Sequence, residues 1–198
     1  VRYHVAMKRI CVFCGSSAGS GDVYQVAARR MGHALVRRGL GLVYGGARIG
    51  LMGALADHVL SLDGEVVGVI PSALAEKEVA HPGLTELHVV GSMHERKTLL
   101  AALADGFVAL PGGFGTLDEL FEALTWGQLG IHGKPCGLLN VEKYFDRLLA
   151  FLGYAGEQGF LSPEHLGMVL VSADPDELLD RFAVYTPPSV EKLSGLEG

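Results

Sequence analysis

The sequence has 198 residues, which fits a single domain large enough to bury a core without disulfides or a structural metal. Apolar residues make up 49% of the chain and charged residues 19%, so disorder as the main state is excluded. A formal net charge of −6 gives no overall attraction to nucleic acid or to an anionic membrane surface. We therefore expect neither partner, and any anion site must be a local concentration of hydrogen-bond donors.

The N-terminal stretch VRYHVAMKRI has no apolar signal core, and no apolar run approaches the roughly 20 residues that a membrane-spanning helix requires. A cytoplasmic protein is therefore expected, and the three cysteines agree with a reducing compartment. Cys11 and Cys14 form a C-x-x-C pattern, but in a strand they would lie ~10 Å apart on opposite faces, beyond disulfide reach. Cys136 alone does not complete a zinc site, so we expect buried thiols.

Short apolar runs rich in β-forming residues alternate with helical patterns along the chain. In order, the predicted elements are strand 9–14, helix 22–38, strand 41–44, helix 50–62, strands 64–70 and 86–90, helix 92–104, strand 106–110, helix 116–129, strand 135–140, helix 144–153, strand 168–171 and helix 175–182. This rhythm is typical of a parallel sheet with helices on both faces. The strands read as continuous Val, Ile and Leu, as expected when both faces are covered.

The predicted fold class is therefore α/β: a doubly wound, mostly parallel sheet in a Rossmann-like three-layer sandwich. Residues 1–182 are expected to form one nucleotide-binding domain, and residues 183–198 a flexible C-terminal tail without periodicity. In such a fold, ligands bind at the carboxyl ends of the strands.

Three predicted strands end in glycine-rich turns that lead toward helices: CGSSAGSG, YGGARIGLMG and PGGFGT. In a parallel sheet all three turns fall at one edge, where glycine lets a ligand approach the backbone and a helix N-terminus supplies free amides. A phosphate suits such a place, although any single turn could be an ordinary tight connection. The candidate binding residues in these turns are Gly15, Ser16, Gly45, Gly46, Gly112, Gly113, Gly115 and Thr116.

Neither common nucleotide fingerprint occurs in these turns. The third turn lacks the lysine of a P-loop, which disfavours a triphosphate site. The second strand ends without an acid for a ribose hydroxyl, which disfavours a dinucleotide. A single phosphate on a smaller nucleotide remains.

The segment SMHERK places two cations near the start of a helix. Ser92 is the expected N-cap with Glu95 three residues later, so Arg96 and Lys97 oppose the helix dipole. Exposed side chains pointing into water would tolerate this arrangement. Because the helix begins at the same edge as the glycine turns, we instead expect Arg96 and Lys97 to face an anion.

Glu119 has two possible roles. It completes a capping box with Thr116, in which it accepts the backbone amide of that residue. It also lies at three-residue intervals with Glu122 and Thr125, on a polar face that could look into the site. Of the scattered histidines only His94 falls near this region, so no metal site is predicted.

Two of these motifs resemble the signature of the LOG family, the cytokinin riboside 5′-monophosphate phosphoribohydrolases, often mislabelled lysine decarboxylases. PGGFGTLDE matches P-G-G-x-G-T-x-x-E, and MHERK matches its companion motif. CVFCGSS, YGGARIGLMG and EKEVAHPGLTELHVV follow in the expected order, so the resemblance covers roughly residues 8–182. Ala47 departs from the pattern, because many members have a third glycine there.

The resemblance implies hydrolysis of the N-glycosidic bond of an adenosine 5′-monophosphate, preferably N6-prenylated, without a cofactor and in a homodimer. Arg96 and Glu119 would be catalytic. The substrate-binding residues would be Glu78, Met93, Lys97, Gly113, Gly115, Thr116 and Thr125, in addition to the other turn residues named above. A general AMP nucleosidase and a noncatalytic carrier of a phosphorylated ligand, such as molybdenum cofactor, are the alternatives. A lysine decarboxylase is disfavoured, since no lysine stands in a pyridoxal phosphate motif.

Overall fold

The computed structural model describes residues 7–75 and 80–188, in which strands and helices alternate. The strands are β1 (Arg9–Phe13), β2 (Gly41–Tyr44), β3 (Val66–Pro71), β4 (Glu86–Val90), β5 (Gly106–Ala109), β6 (Cys136–Leu139) and β7 (Val169–Ser172). The helices are α1 (Asp22–Arg37), α2 (Gly50–Ser61), α3 (Ser72–Ala75), α4 (Met93–Leu103), α5 (Phe114–Gln128), α6 (Asp146–Glu157), α7 (Pro163–Leu166) and α8 (Pro175–Ala183). A 3₁₀ turn, Val141–Lys143, precedes α6.

The strands form one sheet in the order β4-β3-β2-β1-β5-β6-β7, and every neighbouring pair is parallel. The chain builds from β1 through β4 toward one edge, then returns to place β5 on the other side of β1. Such a reversal opens a crevice at the carboxyl ends of the strands. The predicted doubly wound, Rossmann-like α/β fold is confirmed.

Two hydrophobic cores lie on the two faces of the sheet. Along β1, Ile10 and Val12 belong to one core while Cys11 and Phe13 belong to the other, because successive side chains of a strand alternate in direction. Helices α1, α2 and α8 cover the first face, and α4, α5 and α6 cover the second. The continuous apolar strands follow directly from this double burial.

Most predicted elements are present with boundaries shifted by one or two residues, but the helix expected over 144–153 begins two residues later, at Asp146, and ends four residues later, at Glu157. The Asn140 side chain accepts a hydrogen bond from the Phe145 amide at 2.8 Å and donates to Asp146 at 2.7 Å. These bonds close a turn over residues 140–146, so α6 begins only after it. The short helices α3 and α7 were not predicted. Residues 189–198 lie outside the described residues, and the flexible tail stays a prediction.

The three cysteines are free and buried, as expected. Burial raises the pKa of each thiol, that of Cys136 to about 12, and the negative charge of Glu119 adds to the effect at Cys11 and Cys14. In residues 7–75 and 80–188 no helix is long and apolar enough to cross a membrane, and no three potential metal ligands form a cluster.

A cationic groove lies where α1, α2 and α8 meet. It encloses about 340 Å³ and is lined on α1 by Arg29, Arg30 and His33, and on α2 by His58. Asp176 of α8 also lines the groove and pairs with Arg37 and Arg38. Partial burial, the nearby His33 and the charge of Arg29 lower the pKa of His58 below its ordinary value of 6.5.

This lowered pKa predicts a loss of stability in weak acid. Unfolded chains protonate His58 more readily than folded ones, so stability should fall as the pH drops below about 6.5. His58→Gln should therefore show a smaller decrease in melting temperature between pH 7 and pH 5 than the unmodified protein. The same substitution at the exposed His94, outside the groove, is the control; equal pH dependence in all three proteins would contradict the prediction.

Candidate active site

The turns after β1, β2 and β5 lie side by side, because these three strands are neighbours in the sheet. The Gly15 amide donates to the Pro111 carbonyl at 3.1 Å, and the Leu51 amide donates to the Gly15 carbonyl at 3.0 Å. Between the first and third turns is a crevice of about 330 Å³. Its lining consists of Gly15, Ser16, Ser17, Gly19, Tyr24, Leu51, Pro111, Gly112, Gly113 and Tyr144.

The predicted site glycines divide into two groups. A methyl group at Gly45 would clash with the Nη2 atom of Arg96, and one at Gly112 would clash with Thr116 Oγ1. Gly46 has a φ of +79°, which side chains rarely adopt. In contrast, a Cβ at Gly113 or Gly115 would meet no heavy atom within 4 Å. Only the second group leaves the backbone open to a ligand.

Helix α5 begins earlier than predicted. Gly113 is its N-cap in an extended conformation, and Phe114 is the first helical residue. Thr116 is therefore inside the first turn and is buried against Gly112, so the predicted capping box with Glu119 is wrong. Because glycine at the N-cap has no side chain to accept hydrogen bonds, the N-cap residue leaves these first amides uncapped. This is the arrangement found where helix N-termini bind anions.

Ser92 is the N-cap of α4, as predicted. Its hydroxyl accepts a hydrogen bond from the Glu95 amide at 3.1 Å. The Glu95 carboxylate reaches back to the Gly91 amide at 2.8 Å, one residue before the position a standard capping box would use. Met93, Arg96 and Lys97 are thereby fixed in the first turns of α4.

Arg96 and Glu119 come together between α4 and α5. Arg96 Nη2 lies 3.4 Å from Glu119 Oε1, and the two side chains are only 9% and 11% exposed. Arg96 Nη1 also lies 3.8 Å from the Met93 sulfur. Within the described residues, Arg96 Nε is buried without a hydrogen-bond partner. A guanidinium group this buried does not point into water. Its Nε–H is a hydrogen-bond donor without an acceptor in that part of the chain.

Lys97 binds two acids of α5. Its ammonium lies 3.1 Å from Asp118 and 3.3 Å from Glu122. Partial burial opposes the charge, but hydrogen bonds to both carboxylates outweigh it and raise the pKa of Lys97. Glu119 and Glu122 share a small cavity of about 10 Å³ with Lys97 and Trp126. Asp118 was missed by sequence reasoning, although its spacing of four residues from Glu122 is the signal that would have found it.

Thr125 does not join this group, so the shared polar face is wrong for this residue. Six residues beyond Glu119, it lies about 9 Å farther along the helix and about 120° around it. Its hydroxyl donates to the Phe121 carbonyl at 2.7 Å, and it lines a separate apolar cavity of about 140 Å³. Glu78 lies outside the described residues. The substrate-binding roles of Thr125 and Glu78 stay predictions.

Ala47 and His94 lie close to site residues in the sequence, one buried and the other exposed. Ala47 is fully buried and forms a β-bridge with Ala80, so the fold accommodates its methyl group. His94 is exposed on the first turn of α4.

Comparison with known proteins identifies the family. Residues 52–182 match a family model described as possible lysine decarboxylase. A cytokinin riboside 5′-monophosphate phosphoribohydrolase from Rhodococcoides fascians is 52% identical over 84% of this chain and 85% of its own. A probable enzyme of the same name from Oryza sativa subsp. japonica is 49% identical over 91% of this chain and 74% of its own.

Among solved structures, the molybdenum cofactor binding protein from Rippkaea orientalis matches with a TM-score of 0.66, covering 89% of this chain and 95% of that one. At 21% identity this likeness shows the fold alone. The fold and the crevice thus define a Rossmann-like α/β protein with a glycine-lined crevice at the carboxyl edge of its sheet. The chain belongs to the LOG family, and the resemblance seen in its motifs is confirmed.

The contact between Gly45 and Arg96 makes a testable prediction. Gly45→Ala should displace the guanidinium group from Glu119 and lower the free energy of unfolding by about 1–3 kcal/mol, because a buried charge loses its partner. Urea denaturation measures this change. Gly153→Ala, in α6, is the matched control, since its new Cβ would meet no heavy atom within 4 Å. Equal stability of the two variants would refute the steric role of Gly45.

Proposed function

We propose that this protein hydrolyses the N-glycosidic bond of N6-substituted adenosine 5′-monophosphates, releasing the free base and ribose 5-phosphate. The observation that carries the proposal is the buried Arg96–Glu119 pair at the same sheet edge as a glycine-lined crevice. Relatives at about 50% identity that are named phosphoribohydrolases support the same reaction. Plain AMP is the second substrate to consider, because no residue pattern read from the sequence selects a prenyl group.

Glu119 is the proposed catalytic carboxylate. Cleavage of a bond between sugar and base passes through a transition state with positive charge at the anomeric carbon. A carboxylate can stabilise that charge while it orients or deprotonates the attacking water. The ion pair with Arg96 holds the Glu119 carboxylate in place between α4 and α5.

Arg96 is the proposed partner of the leaving base. Its guanidinium group pairs with Glu119 and occupies the space left by the missing side chain of Gly45. Its Nε is buried without a hydrogen-bond partner in the described residues, so a shift of the side chain on substrate binding would let it donate to a purine nitrogen or to the ribose. Such a bond would strengthen as negative charge develops on the base, which is how a fixed donor lowers a barrier.

The 5′-phosphate is proposed to bind at the first turn of α5. Gly113 and Gly115 leave the backbone open there, and the helix dipole favours negative charge. Lys97 is already neutralised by Asp118 and Glu122, so its contribution to anion binding is proposed to be indirect, through the position of α5. Binding energy at the phosphate would hold the sugar against Glu119.

The family model's description raises the possibility of a pyridoxal phosphate enzyme, which Lys97, the lysine at the proposed site, does not fit. A Schiff-base lysine needs an amine that deprotonates readily. Lys97, the lysine beside Glu119 and Glu122, lies between two carboxylates that raise its pKa. Burial lowers the pKa of Lys134, but its amine donates to the Ala101 carbonyl at 2.6 Å and does not line the crevice. We therefore derive no step through this cofactor.

The direct test is incubation with AMP and with isopentenyladenosine 5′-monophosphate in parallel, following free base and ribose 5-phosphate by chromatography. We expect release of the free base, with a higher kcat/KM for the prenylated nucleotide than for AMP. Equal kcat/KM for AMP would make the protein a general nucleosidase. If neither base is released while either nucleotide raises the melting temperature, the noncatalytic carrier replaces the proposal.

Glu119→Gln tests the mechanism at one atom. Glutamine keeps the shape of the side chain but removes the charge that faces the buried Arg96, so the protein should still fold with a free energy of unfolding lower by about 1–3 kcal/mol. The loss of the carboxylate should lower kcat by about 100-fold or more. Thermal melting measures the first effect and product release the second. Glu157→Gln, an exposed acid on α6, is the matched control and should retain full activity. A Glu119→Gln enzyme with normal kcat would remove this carboxylate from the reaction.

We also propose that the protein is a cytoplasmic homodimer. Support for the dimer comes from exposed apolar side chains within α6 and just beyond the ends of α5 and α6: Phe151, Ile131 and Phe160 are 62%, 64% and 82% exposed. Three buried, unpaired thiols support a reducing compartment. Light scattering should give twice the mass of one chain, and Phe151→Glu should shift the protein toward the single-chain mass. A monomer at micromolar concentration before any substitution would contradict the dimer.

A further inference from the structure

The turn before α6 has an unusual backbone. Glu142 and Lys143 are consecutive non-glycine residues with φ of 48° and 59°, in the left-handed region that side chains rarely adopt. Strained backbone of this kind persists only where its surroundings hold it, and it concentrates at functional sites. Here Asn140 holds it, through its bonds to the Phe145 amide and to the Asp146 carboxylate.

The result of this turn is the placement of Tyr144. Its hydroxyl donates a hydrogen bond of 2.7 Å to the Gly112 carbonyl, 32 residues away in the sequence. Its ring packs edge-on against Phe145, with centroids 5.0 Å apart, and against Tyr24, with centroids 6.1 Å apart. Tyr144 also lines the 330 Å³ crevice together with Gly112 and Gly113. The motifs that identified the site in the sequence do not include this residue.

The hydrogen bond acts on a peptide group that would otherwise rotate easily. The peptide between Gly112 and Gly113 has glycine on both sides, and glycine imposes little steric restriction on either orientation. A peptide unit is planar and trans, so the Gly113 N–H points opposite to the Gly112 carbonyl. Holding the carbonyl therefore also fixes the direction of the Gly113 amide at the start of α5.

We infer that Tyr144 is a positioning residue for the 5′-phosphate: it fixes the Gly112–Gly113 peptide in the orientation that receives this group. The inference rests on the proposed function, since it assigns the crevice to the phosphate of the nucleotide. It also explains the strained turn at Glu142 and Lys143, because that turn places Tyr144 against the Gly112 carbonyl. Because Tyr144 acts through the glycine loop, its loss should weaken phosphate binding and leave the chemistry at Glu119 almost unchanged.

Tyr144→Phe is the sharpest test, because it removes the hydroxyl and keeps the ring contacts with Tyr24 and Phe145. The loss of one hydrogen bond predicts an increase of about 3- to 10-fold in the Kd for ribose 5-phosphate, measured by calorimetry. The KM for AMP should rise by a similar factor, with kcat within about twofold of the unmodified enzyme. Adenosine, which lacks the phosphate, should show no change in kcat/KM. Tyr154→Phe, an exposed tyrosine of α6, is the matched control.

The outcomes separate this inference from the proposed function. If the unmodified protein hydrolyses no nucleotide but binds ribose 5-phosphate more tightly than Tyr144→Phe does, the reaction fails and the role of Tyr144 stands. Equal Kd values in a protein that hydrolyses AMP would overturn the role of Tyr144 alone. The role is also overturned if adenosine and AMP lose kcat/KM equally, or if the unmodified protein does not bind ribose 5-phosphate.

Discussion

The ion pair between Arg96 and Glu119 joins α4 to α5 at the carboxyl edge of the sheet. Withdrawing a guanidinium group from water is costly unless an opposite charge and good geometry compensate. Three features of the fold meet that requirement together. Glu119 supplies the charge, Gly45 leaves room for the group, and the Ser92 cap fixes the first turn from which Arg96 extends. The positions of β2, α4 and α5 are therefore linked through one side chain.

Basic side chains of α4 pair with acidic side chains of α5 along the contact between the two helices. Arg96 meets Glu119, while Lys97 meets Asp118 and Glu122. Two cations near the N-terminus of α4 oppose its dipole, and the acids of α5 offset that cost. The first turn of α5 precedes these acids and has no side-chain cap. One helix thus presents free amides at its start and carboxylates one turn later, which suits a ligand with a phosphate at one end and a developing cation near its middle.

The fold could be predicted well from the sequence because the two patterns that indicate it, apolar periodicity and glycine turns, are both local. Apolar runs and helical periodicity located the main strands and helices, and glycine turns at the ends of β1, β2 and β5 indicated the edge that carries the site. What failed depended on distant contacts. Nothing local distinguishes Gly45, which makes room for Arg96, from Gly113, which is open. The predicted capping box had the right residue types, but Gly113 starts the helix before Thr116.

Tyr144 is a residue that the sequence analysis missed because its role also depends on a distant contact. Its partner Gly112 is 32 residues away, so no spacing rule could connect them. The backbone that directs it is equally hidden, because Glu142 and Lys143 are residue types that ordinarily avoid positive φ. Thr125 shows the opposite error, in which a regular three-residue spacing suggested a shared face that the rotation of the helix does not maintain.

The buried cysteines have a practical consequence for work on this protein. Thiolates, rather than thiols, react with maleimides, iodoacetamide and peroxides. Cys11, Cys14 and Cys136 are all buried with raised pKa values, so the folded chain presents almost no reactive sulfur at neutral pH. A single cysteine added at an exposed position would then be the preferred point of attachment for a dye or spin label. Such a probe near the Gly113 turn could follow ligand binding without removal of the native cysteines.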